Sequence, residues 1–317
     1  MYGIVVNNRR ALVLEDVPRP ELGANDLRIA VRATAVNRAD LLQRAGHYPP
    51  PPGASPLLGL ECAGIVTELG ANVVNWKIGD RAMALLPGGG YAEEVVVHAG
   101  SAMHVPEALT DEEAAALPEV FLTAFLNLFL LARVREGETA LIHGGGSGVG
   151  TAATTLLKLA GVRVLVTAGS AEKCARCLAH GADMAINYRE EDFVEKARGA
   201  NVILDHIGAR YLARDLDALA VDGRIVIIGT MGGERITELD VSRVLMKRAQ
   251  IIGSTLRART VDDKASIVRA FVDRFGEDLD AGRIRPVIHE MLPLARAEDA
   301  HDLMEASEHF GKIVLRA

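Results

Sequence analysis

The most constraining feature of the sequence is a glycine-rich turn between an apolar strand pattern and an apolar helix pattern. Thr139 to Ile142 is a short buried-strand pattern, and Gly144 to Gly150 follows it closely. Apolar residues then recur with helical spacing from Val149 to Ala160, and Gly161 is typical of a helix end. A strand that turns through glycines into a helix opens a βαβ unit, so this part of the chain is expected to build a parallel sheet.

The alternation of strand and helix patterns continues beyond this turn. Strand patterns cover Val162 to Thr167, Met184 to Tyr188, Val202 to Asp205 and Arg224 to Gly229. One helix pattern covers Glu172 to His180, and another lies between the last two of these strands. Strands that alternate with helices predict an α/β domain with a doubly wound parallel sheet. The chain then closes with helix patterns at Val261 to Ala281 and Ala295 to Phe310 and a strand pattern at Lys312 to Leu315.

The residues before the glycine-rich turn show mainly strand patterns rather than alternating strands and helices. Short β-type runs, separated by Pro, Gly and Asn, cover Ala11 to Val17, Leu27 to Ala35 and Cys62 to Leu69. Tyr48 to Gly53 contains four consecutive prolines, which have no backbone N–H to donate. A helix or an inner strand is excluded there, and we predict an extended loop.

Length and charge exclude several classes of protein. The 317 residues suit two domains, and a net charge of −7 argues against a protein that holds nucleic acid by neutralising phosphates. The longest apolar stretch, Val120 to Ala132, is interrupted by Thr123 and Asn127 and is too short to span a bilayer. No signal peptide is recognisable, and three cysteines make no disulfide framework, so we expect a cytoplasmic protein.

The glycine-rich turn predicts a binding site for a pyrophosphate. Such a turn lets backbone N–H groups approach a phosphate at the helix N-terminus. The residues expected to line it are Gly145, Ser147, Gly148, Val149 and Gly150. The strict G-x-G-x-x-G spacing is not met, because its middle position falls on Ser147. The alternative is a tight strand–helix turn that binds nothing.

The end of the second strand of this domain bears on which dinucleotide is bound. NAD enzymes usually carry Asp or Glu there for the ribose 2′-hydroxyl, whereas a 2′-phosphate needs a cation and no acid. The strand runs into Gly169 and Ser170 without an acid, Lys173 lies one helical turn on, and Tyr188 ends the third strand. Glu172 is expected to point to solvent. The pattern favours NADPH; the alternative is that Lys173 is a solvated residue and Tyr188 a packing residue.

Further cofactor contacts are predicted from position. The carboxyl edge of a parallel sheet is where such cofactors lie. The candidates are Thr123 at the domain crossover, Gly229, Met231 and Gly232 after the fifth strand, and Ser254 and Leu256 after the next strand. Arg257 either faces the same site or is an exposed partner of Asp262 or Asp263.

Six segments make the chain resemble a known family. They are Asn37-Arg38-Ala39-Asp40, Gly59-Leu60-Glu61, Gly79-Asp80-Arg81, Gly88 to Glu93, Gly144 to Gly150 and Met231-Gly232-Gly233. In this order and spacing they are similar to the quinone oxidoreductase branch of the medium-chain dehydrogenases/reductases. That branch includes the zeta-crystallin-like proteins, and the tumour-suppressor-inducible enzymes are the nearest group. The resemblance covers almost the whole chain.

The resemblance implies a split architecture and a homodimer. A GroES-like β-barrel substrate domain would use residues 1–117 and 257–317, and a Rossmann NADPH-binding domain, residues 118–256, would be inserted into it. The active site would lie in the cleft. The dimer would form through edge strands of the two nucleotide-binding sheets, near Ala249 to Leu256.

The zinc-dependent relatives carry metal ligands that this chain lacks. They have a cysteine where it has Asn37, a histidine where it has Leu60, and a third ligand near Glu119. Asn and Leu cannot supply a thiolate and an imidazole, and the four clustered cysteines of a structural zinc lobe are missing. Glu61 and Glu119 do not make a site alone, so no metal is expected.

Hydride transfer without a metal suits a quinone, because the product is an aromatic hydroquinone whose oxyanion is delocalised. The protein then holds nicotinamide and acceptor together and excludes water. The resemblance puts Tyr48, Asn37 and Asp40 beside them, with Tyr48 the candidate donor to the developing oxyanion. Each also has a structural interpretation. Asn37 would cap a helix from Arg38 to Ala45, Asp40 would pair with Arg38 or Arg44, and Tyr48 would pack.

Two other functions stay open at this stage. An enone or alkenal reductase would share cofactor and pocket, whereas an NADPH-binding sensor would turn over weakly. Of the other reactive residues, His206 is expected to be a cleft-wall residue at most and His143 a structural histidine. Cys174 and Cys177 are expected to be ordinary helix residues, not a redox pair.

Overall fold

The computed structural model describes residues 1–317 and contains two compact units. Unit 1 comprises Met1–Leu122 with Leu256–Ala317, and unit 2 comprises Thr123–Thr255. The first division falls inside the helix Pro118–Phe125, not in front of it at 117/118 as expected. A continuous helix carries the chain from one unit into the other, so no turn signal marks the division in the sequence.

The chain forms fifteen strands and ten α-helices. The strands are β1 Tyr2–Val6, β2 Leu12–Asp16, β3 Asp26–Ala35, β4 Glu61–Leu69, β5 Arg81–Leu85, β6 Glu94–His98, β7 Ala102–His104, β8 Thr139–Ile142, β9 Arg163–Ala168, β10 Met184–Asn187, β11 Ala200–Asp205, β12 Leu219–Ile227, β13 Gln250–Gly253, β14 Ile288–Pro293 and β15 Lys312–Arg316. The α-helices are α1 Arg38–Arg44, α2 Asp111–Ala115, α3 Pro118–Phe125, α4 Gly148–Leu159, α5 Ala171–Ala179, α6 Phe193–Lys196, α7 Leu212–Ala218, α8 Val241–Lys247, α9 Val261–Asp280 and α10 Ala297–Ala306. A π-helix, Leu126–Leu131, continues α3.

Unit 2 is built on a six-stranded parallel sheet in the order β10-β9-β8-β11-β12-β13. Later strands are added on both sides of β8, so the order reverses between β8 and β11, which is where ligands bind in doubly wound sheets. The predicted parallel sheet is confirmed. β12 begins at Leu219, ahead of the predicted Arg224, because a register shift separates its first pair with β11 from the regular ladder.

Unit 1 is built on a seven-stranded sheet. β3 lies at its centre and pairs antiparallel with β4, β6 and β15. Leu27, Ile29 and Val31 of β3 are buried in the core. The predicted proline loop is confirmed, since Tyr48 to Gly53 are neither helix nor strand.

The apolar stretch Val120 to Ala132 forms most of α3 and the π-helix and is largely buried. None of the helices combines the length and the apolar composition that crossing a bilayer requires. The three cysteines are unpaired and buried, and Cys174 and Cys177 lie within α5 as expected.

Candidate functional site

The glycine-rich turn of unit 2 leads directly into helix α4. Ser147 caps the helix, and its Oγ accepts a hydrogen bond from the Gly150 N–H at 3.0 Å. The amides at Gly148 and Val149 have no intrahelical partner, because they belong to the first turn. A Cβ on Gly150 would lie 2.3 Å from the Gly144 carbonyl oxygen, so the turn closes only around a glycine. The chain therefore presents N–H groups and a helix N-terminus to an anion.

A buried chain of polar groups fixes this turn to the sheet. The Gly144 N–H donates to Thr167 Oγ1 at 3.2 Å, and that hydroxyl is 3.1 Å from His143 Nδ1. His143 Nε2 lies 2.8 Å from Asp215 Oδ1, and neither side chain is exposed. His143 is thus a structural histidine, as predicted. His206 packs against the same turn, because a Cβ on Gly144 would be 2.4 Å from its ring.

The end of β9 gathers the residues predicted to select the dinucleotide. β9 ends at Ala168, and the Ser170 hydroxyl caps α5 by accepting from the Lys173 N–H at 3.2 Å. Tyr188 is 43% exposed, and its hydroxyl would lie 2.7 Å from a Cβ on Gly169. Glu172 is exposed, as expected. No carboxylate stands at the end of β9.

The other predicted cofactor residues are distributed over both units. Gly229, Met231 and Gly232 follow β12, and the Met231 and Gly232 N–H groups donate to carbonyls of the segment after β11. Ser254 follows β13, and its buried Oγ has no hydrogen-bond partner. Thr123 opens unit 2, whereas Leu256 opens the second segment of unit 1.

Unit 1 contains a buried ion pair that the sequence analysis did not predict. Lys312, at the start of β15, is 2% exposed, and its Nζ donates to Glu61 Oε1 at 2.7 Å, to Asn37 Oδ1 at 2.6 Å and to the Val36 carbonyl at 2.9 Å. The three donors of the ammonium group are thereby used. Glu61 Oε2 accepts from the Glu119 N–H at 2.9 Å, which ties the start of α3 to the same pair.

This network corrects the prediction that Asn37 donates to a substrate. Its Nδ2 donates to Glu61 Oε1 at 2.9 Å and to the Ala35 carbonyl at 3.2 Å, so both of its amide hydrogens have partners inside the protein. Asn37 precedes α1 as its N-cap residue, which agrees with the structural interpretation. The hydrogen bond at this helix start uses the backbone of Asn37 and the side chain of Asp40: the Asn37 N–H donates to Asp40 Oδ2 at 2.8 Å.

Asp40 also differs from its prediction as a residue beside the substrate. It is 0% exposed, and its carboxylate accepts from the Gly59 N–H at 3.0 Å and lies 3.3 Å from the Tyr91 hydroxyl. Burial raises its pKa to about 6, opposed by the two backbone hydrogen bonds and Lys312. It pairs with neither of the arginines proposed for it; Arg38 contacts Ser307, and Arg44 pairs with Glu298. Asp40 therefore holds the fold of this region.

Tyr48 alone of the three catalytic candidates is available to a ligand. It is partly buried in the proline loop, and its hydroxyl makes no hydrogen bond within the chain. Arg257 lies over its ring, 5.2 Å from the centroid, and donates to the Tyr48 carbonyl at 3.2 Å, to the Pro87 carbonyl at 2.8 Å and to Gln43 Oε1 at 2.6 Å. Arg257 is buried, so its prediction as an exposed partner of Asp262 or Asp263 is wrong.

The sequence analysis did not predict the Lys312–Glu61 ion pair or the contacts of Arg257, because both join residues that are far apart in the sequence. Lys312 and Glu61 meet across 251 positions, and Arg257 reaches Gln43 across 214. The available signal for the first was a lysine that opens an otherwise apolar strand. No group of three or more His, Cys, Asp or Glu side chains is arranged to hold a metal ion.

Two family models match the chain. The alcohol dehydrogenase GroES-like domain matches residues 23–107, and the zinc-binding dehydrogenase domain matches residues 148–272. Quinone oxidoreductase of Rattus norvegicus is 32% identical over 307 residues, which are 94% of this chain and 91% of the relative. The similarity thus extends over both units.

Solved structures give the same picture of the fold. A mycobacterial protein complexed with NADPH is 28% identical, with a TM-score of 0.85 over 100% of both chains. An NAD-dependent alcohol dehydrogenase is 31% identical, with the same TM-score of 0.85 over 100% of both chains. One similar structure is of an NAD-dependent enzyme and another is complexed with NADPH, so similarity of fold does not distinguish the two dinucleotides.

Proposed function

The chain belongs to the quinone oxidoreductase branch of the medium-chain dehydrogenase/reductase family, and on this premise we propose that it is a metal-independent, NADPH-dependent reductase of quinones. The observation that carries the proposal is the Lys312–Glu61–Asn37 network, where an ammonium ion, three acceptors and an amide are mutually satisfied. Because Lys312 occupies these groups, no metal ion is available to polarise the substrate. A quinone suits such a protein, since it accepts a hydride without a Lewis acid.

The preference for NADPH is supported by the end of β9. Ser170 and Lys173 lie at the start of α5 directly after β9, the Tyr188 hydroxyl lies against Gly169, and β9 ends without a carboxylate. A 2′-phosphate there would gain a cation and hydroxyl donors, and the first-turn amides of α4 would bind the pyrophosphate. When bound, the dinucleotide supplies the hydride.

Metal independence is supported by the chemistry of the residues at the expected zinc positions. The Leu60 side chain has no atom that can coordinate a metal ion. The side-chain amide of Asn37 is already hydrogen-bonded to Glu61 and Lys312. Glu61 has both carboxylate oxygens engaged, one by Lys312 and one by the start of α3. A divalent ion would have to displace the buried ammonium group, which the three short hydrogen bonds oppose.

Tyr48 is the proposed hydrogen-bond donor to the acceptor. Its hydroxyl makes no hydrogen bond within the chain, and four prolines stiffen the loop that carries it. Arg257 holds the same loop by donating a hydrogen bond to the Tyr48 carbonyl. Burial raises the pKa of Tyr48, so the hydroxyl stays protonated at neutral pH. A fixed donor of this kind stabilises negative charge that develops on a quinone oxygen.

A homodimer through β13 is proposed as the assembly. β13 is an edge strand of the unit 2 sheet, and the neighbouring helix α8 exposes Val241, Leu245 and Met246 by 68%, 73% and 74%. An edge strand beside exposed apolar side chains is suited to pairing with a second copy. Light scattering is expected to give a dimer, and a monomer at micromolar concentration would contradict this.

The acceptor is tested by comparing turnover of an ortho-quinone and an α,β-unsaturated ketone with NADPH. We expect the quinone to be the better acceptor, and Tyr48→Phe to lower kcat by tenfold or more without changing the KM for NADPH. Tyr2→Phe, an exposed tyrosine of the same unit, is the matched control. Faster reduction of the ketone would identify an enone reductase, and binding without turnover of either acceptor would identify a sensor.

A further inference from the structure

The proline loop that carries Tyr48 is closed at its base by two side chains. Arg257 Nη1 donates to the Tyr48 carbonyl at 3.2 Å, and Gln43 Nε2 donates to the Pro56 carbonyl at 2.9 Å. Arg257 Nη2 also donates to Gln43 Oε1 at 2.6 Å, so the two side chains are hydrogen-bonded to each other. A continuous chain of hydrogen bonds therefore joins the two ends of residues 48–56, and we call Arg257 and Gln43 the loop clamp.

The loop clamp also ties the proline loop to the glycine segment that follows β5. Arg257 Nε donates to the Pro87 carbonyl at 2.8 Å. Two residues further on, the Gly89 N–H donates to the Leu57 carbonyl at 2.9 Å, directly after the proline loop. One guanidinium group thus contacts α1 through Gln43, the proline loop and the glycine segment.

Arg257 is itself held in place, although it has no counter-ion. It is 4% exposed, and its three hydrogen-bond acceptors are two carbonyls and an amide, with no carboxylate among them. The buried Lys264, near the start of α9, donates from Nζ to the Arg257 carbonyl at 2.7 Å. A buried cation without a carboxylate partner lowers stability. In return the site contains a planar donor group with fixed directions, which a lysine would not provide.

The same guanidinium group lies over the Tyr48 ring, 5.2 Å from its centroid. A cation on an aromatic face is attracted by the ring quadrupole, so this contact favours one orientation of the ring. Burial raises the pKa of Tyr48, and the charge of Arg257 opposes this rise. Tyr48 is therefore fixed at its carbonyl and at its ring by one side chain, and these two contacts set the direction of its hydroxyl.

We propose that Arg257 and Gln43 are positioning residues that hold the Tyr48 hydroxyl in the direction in which it donates to the acceptor oxygen. The inference rests on the proposed function, which assigns that hydroxyl to the acceptor. Neither side chain of the loop clamp has to touch the acceptor. A misplacement of about 1 Å costs up to about 100-fold in rate, so loss of the clamp acts on the reaction through Tyr48.

The first test is a double-mutant cycle between Arg257→Met and Tyr48→Phe, with NADPH and an ortho-quinone. We expect Arg257→Met to lower kcat roughly tenfold or more, as Tyr48→Phe does, with the KM for NADPH unchanged. In the Tyr48→Phe background the same substitution should lower kcat by no more than about twofold, because the hydroxyl that it positions is already absent. Gln43→Leu, which leaves Arg257 in place, should lower kcat in the same direction.

Arg28→Met is the matched control for a loss of stability. Arg28 is a buried arginine of the same unit that pairs with Glu68 at 3.0 Å and donates to the Pro20 carbonyl at 2.9 Å. Its replacement should lower the thermal stability of the protein and leave kcat at the wild-type value. An equal fall of kcat in Arg28→Met and Arg257→Met would show that Arg257 acts only through the stability of the fold, which would overturn the inference.

The second test needs no turnover. The chain has five tyrosines, so in protein labelled with ¹³C in the tyrosine rings the resonance missing from Tyr48→Phe is assigned to Tyr48. We expect this resonance to shift in Arg257→Met and in Gln43→Leu and to stay in place in Arg28→Met. An unmoved Tyr48 resonance in both clamp variants would overturn the inference, as would additive losses of kcat in the double variant.

Failure of the inference and failure of the proposed function give different results. If wild type reduces no quinone, or if Tyr48→Phe is as active as wild type, the proposed role of Tyr48 falls and the inference with it. If Tyr48→Phe is slow and Arg257→Met is as fast as wild type, only the inference falls.

Discussion

Replacing Lys312 by Met is expected to destabilise the protein strongly, because it removes one half of a buried ion pair. Lys312 Nζ makes three hydrogen bonds of 2.6, 2.7 and 2.9 Å, and the paired Glu61 side chain has no exposed surface. The substitution leaves the Glu61 carboxylate without its cation and the Val36 carbonyl without its donor. Breaking one side of a buried pair costs about 3–5 kcal/mol. For a domain of about 150–250 residues that lowers Tm by roughly 6–20 °C.

The assay is thermal unfolding followed by circular dichroism, with two comparisons. Lys158→Met breaks the partly exposed pair of Lys158 with Asp183, at 2.8 Å, and should cost no more than about 1 kcal/mol. Adding Glu61→Gln to Lys312→Met removes the uncompensated charge and should recover part of the loss. The reasoning is refuted if Lys312→Met behaves like Lys158→Met, or if the double variant is less stable than Lys312→Met alone.

Three further predictions concern binding and pH. Gly150→Ala should abolish dinucleotide binding or folding of unit 2, because its Cβ would meet the Gly144 carbonyl at 2.3 Å; a variant that binds NADPH normally in calorimetry would contradict the geometry. Lys173→Ala should weaken NADPH binding about tenfold and leave NADH binding unchanged, with Lys196→Ala as the control; equal losses for both dinucleotides would remove Lys173 from the phosphate site. Burial lowers the pKa of His301 to about 4. Between pH 6.5 and 4 the histidine is therefore protonated in the unfolded chain but neutral in the folded one. The free energy of unfolding thus decreases by up to about 3 kcal/mol as the pH is lowered through this range. His301→Gln should lose less stability than wild type between pH 7 and 4 in urea unfolding, and identical pH profiles would show that His301 is not buried in the neutral form.

Local patterns predicted most strands of unit 2 and its helices α4, α5 and α7, but not α6, α8 or the π-helix. The helix after Gly148 and the strands on either side follow from apolar spacing and glycine positions, which act over a few residues. The proline loop was equally readable, because a missing N–H is a property of the residue itself. Element ends were less certain; the early start of β12 depends on its pairing with β11 and has no local signal.

The interior of the substrate unit could not be predicted in the same way. Lys312 and Glu61 are charged residues that a sequence pattern assigns to the surface, and the pairing of β3 with both β15 and β4 brings them together. The same contact decides the role of Asn37, which the resemblance placed beside a ligand but which Lys312 and Glu61 hold on both sides. Long-range pairing thus decides whether a polar residue supports the fold or faces a substrate.

Initial rates of NADPH and NADH oxidation with an ortho-quinone, in the presence of a chelator, test the central claim most directly. The account predicts faster turnover with NADPH and no effect of the chelator, because Lys312 occupies the acceptors that a metal would use. Preference for NADH, or loss of activity with chelator that zinc restores, would contradict it.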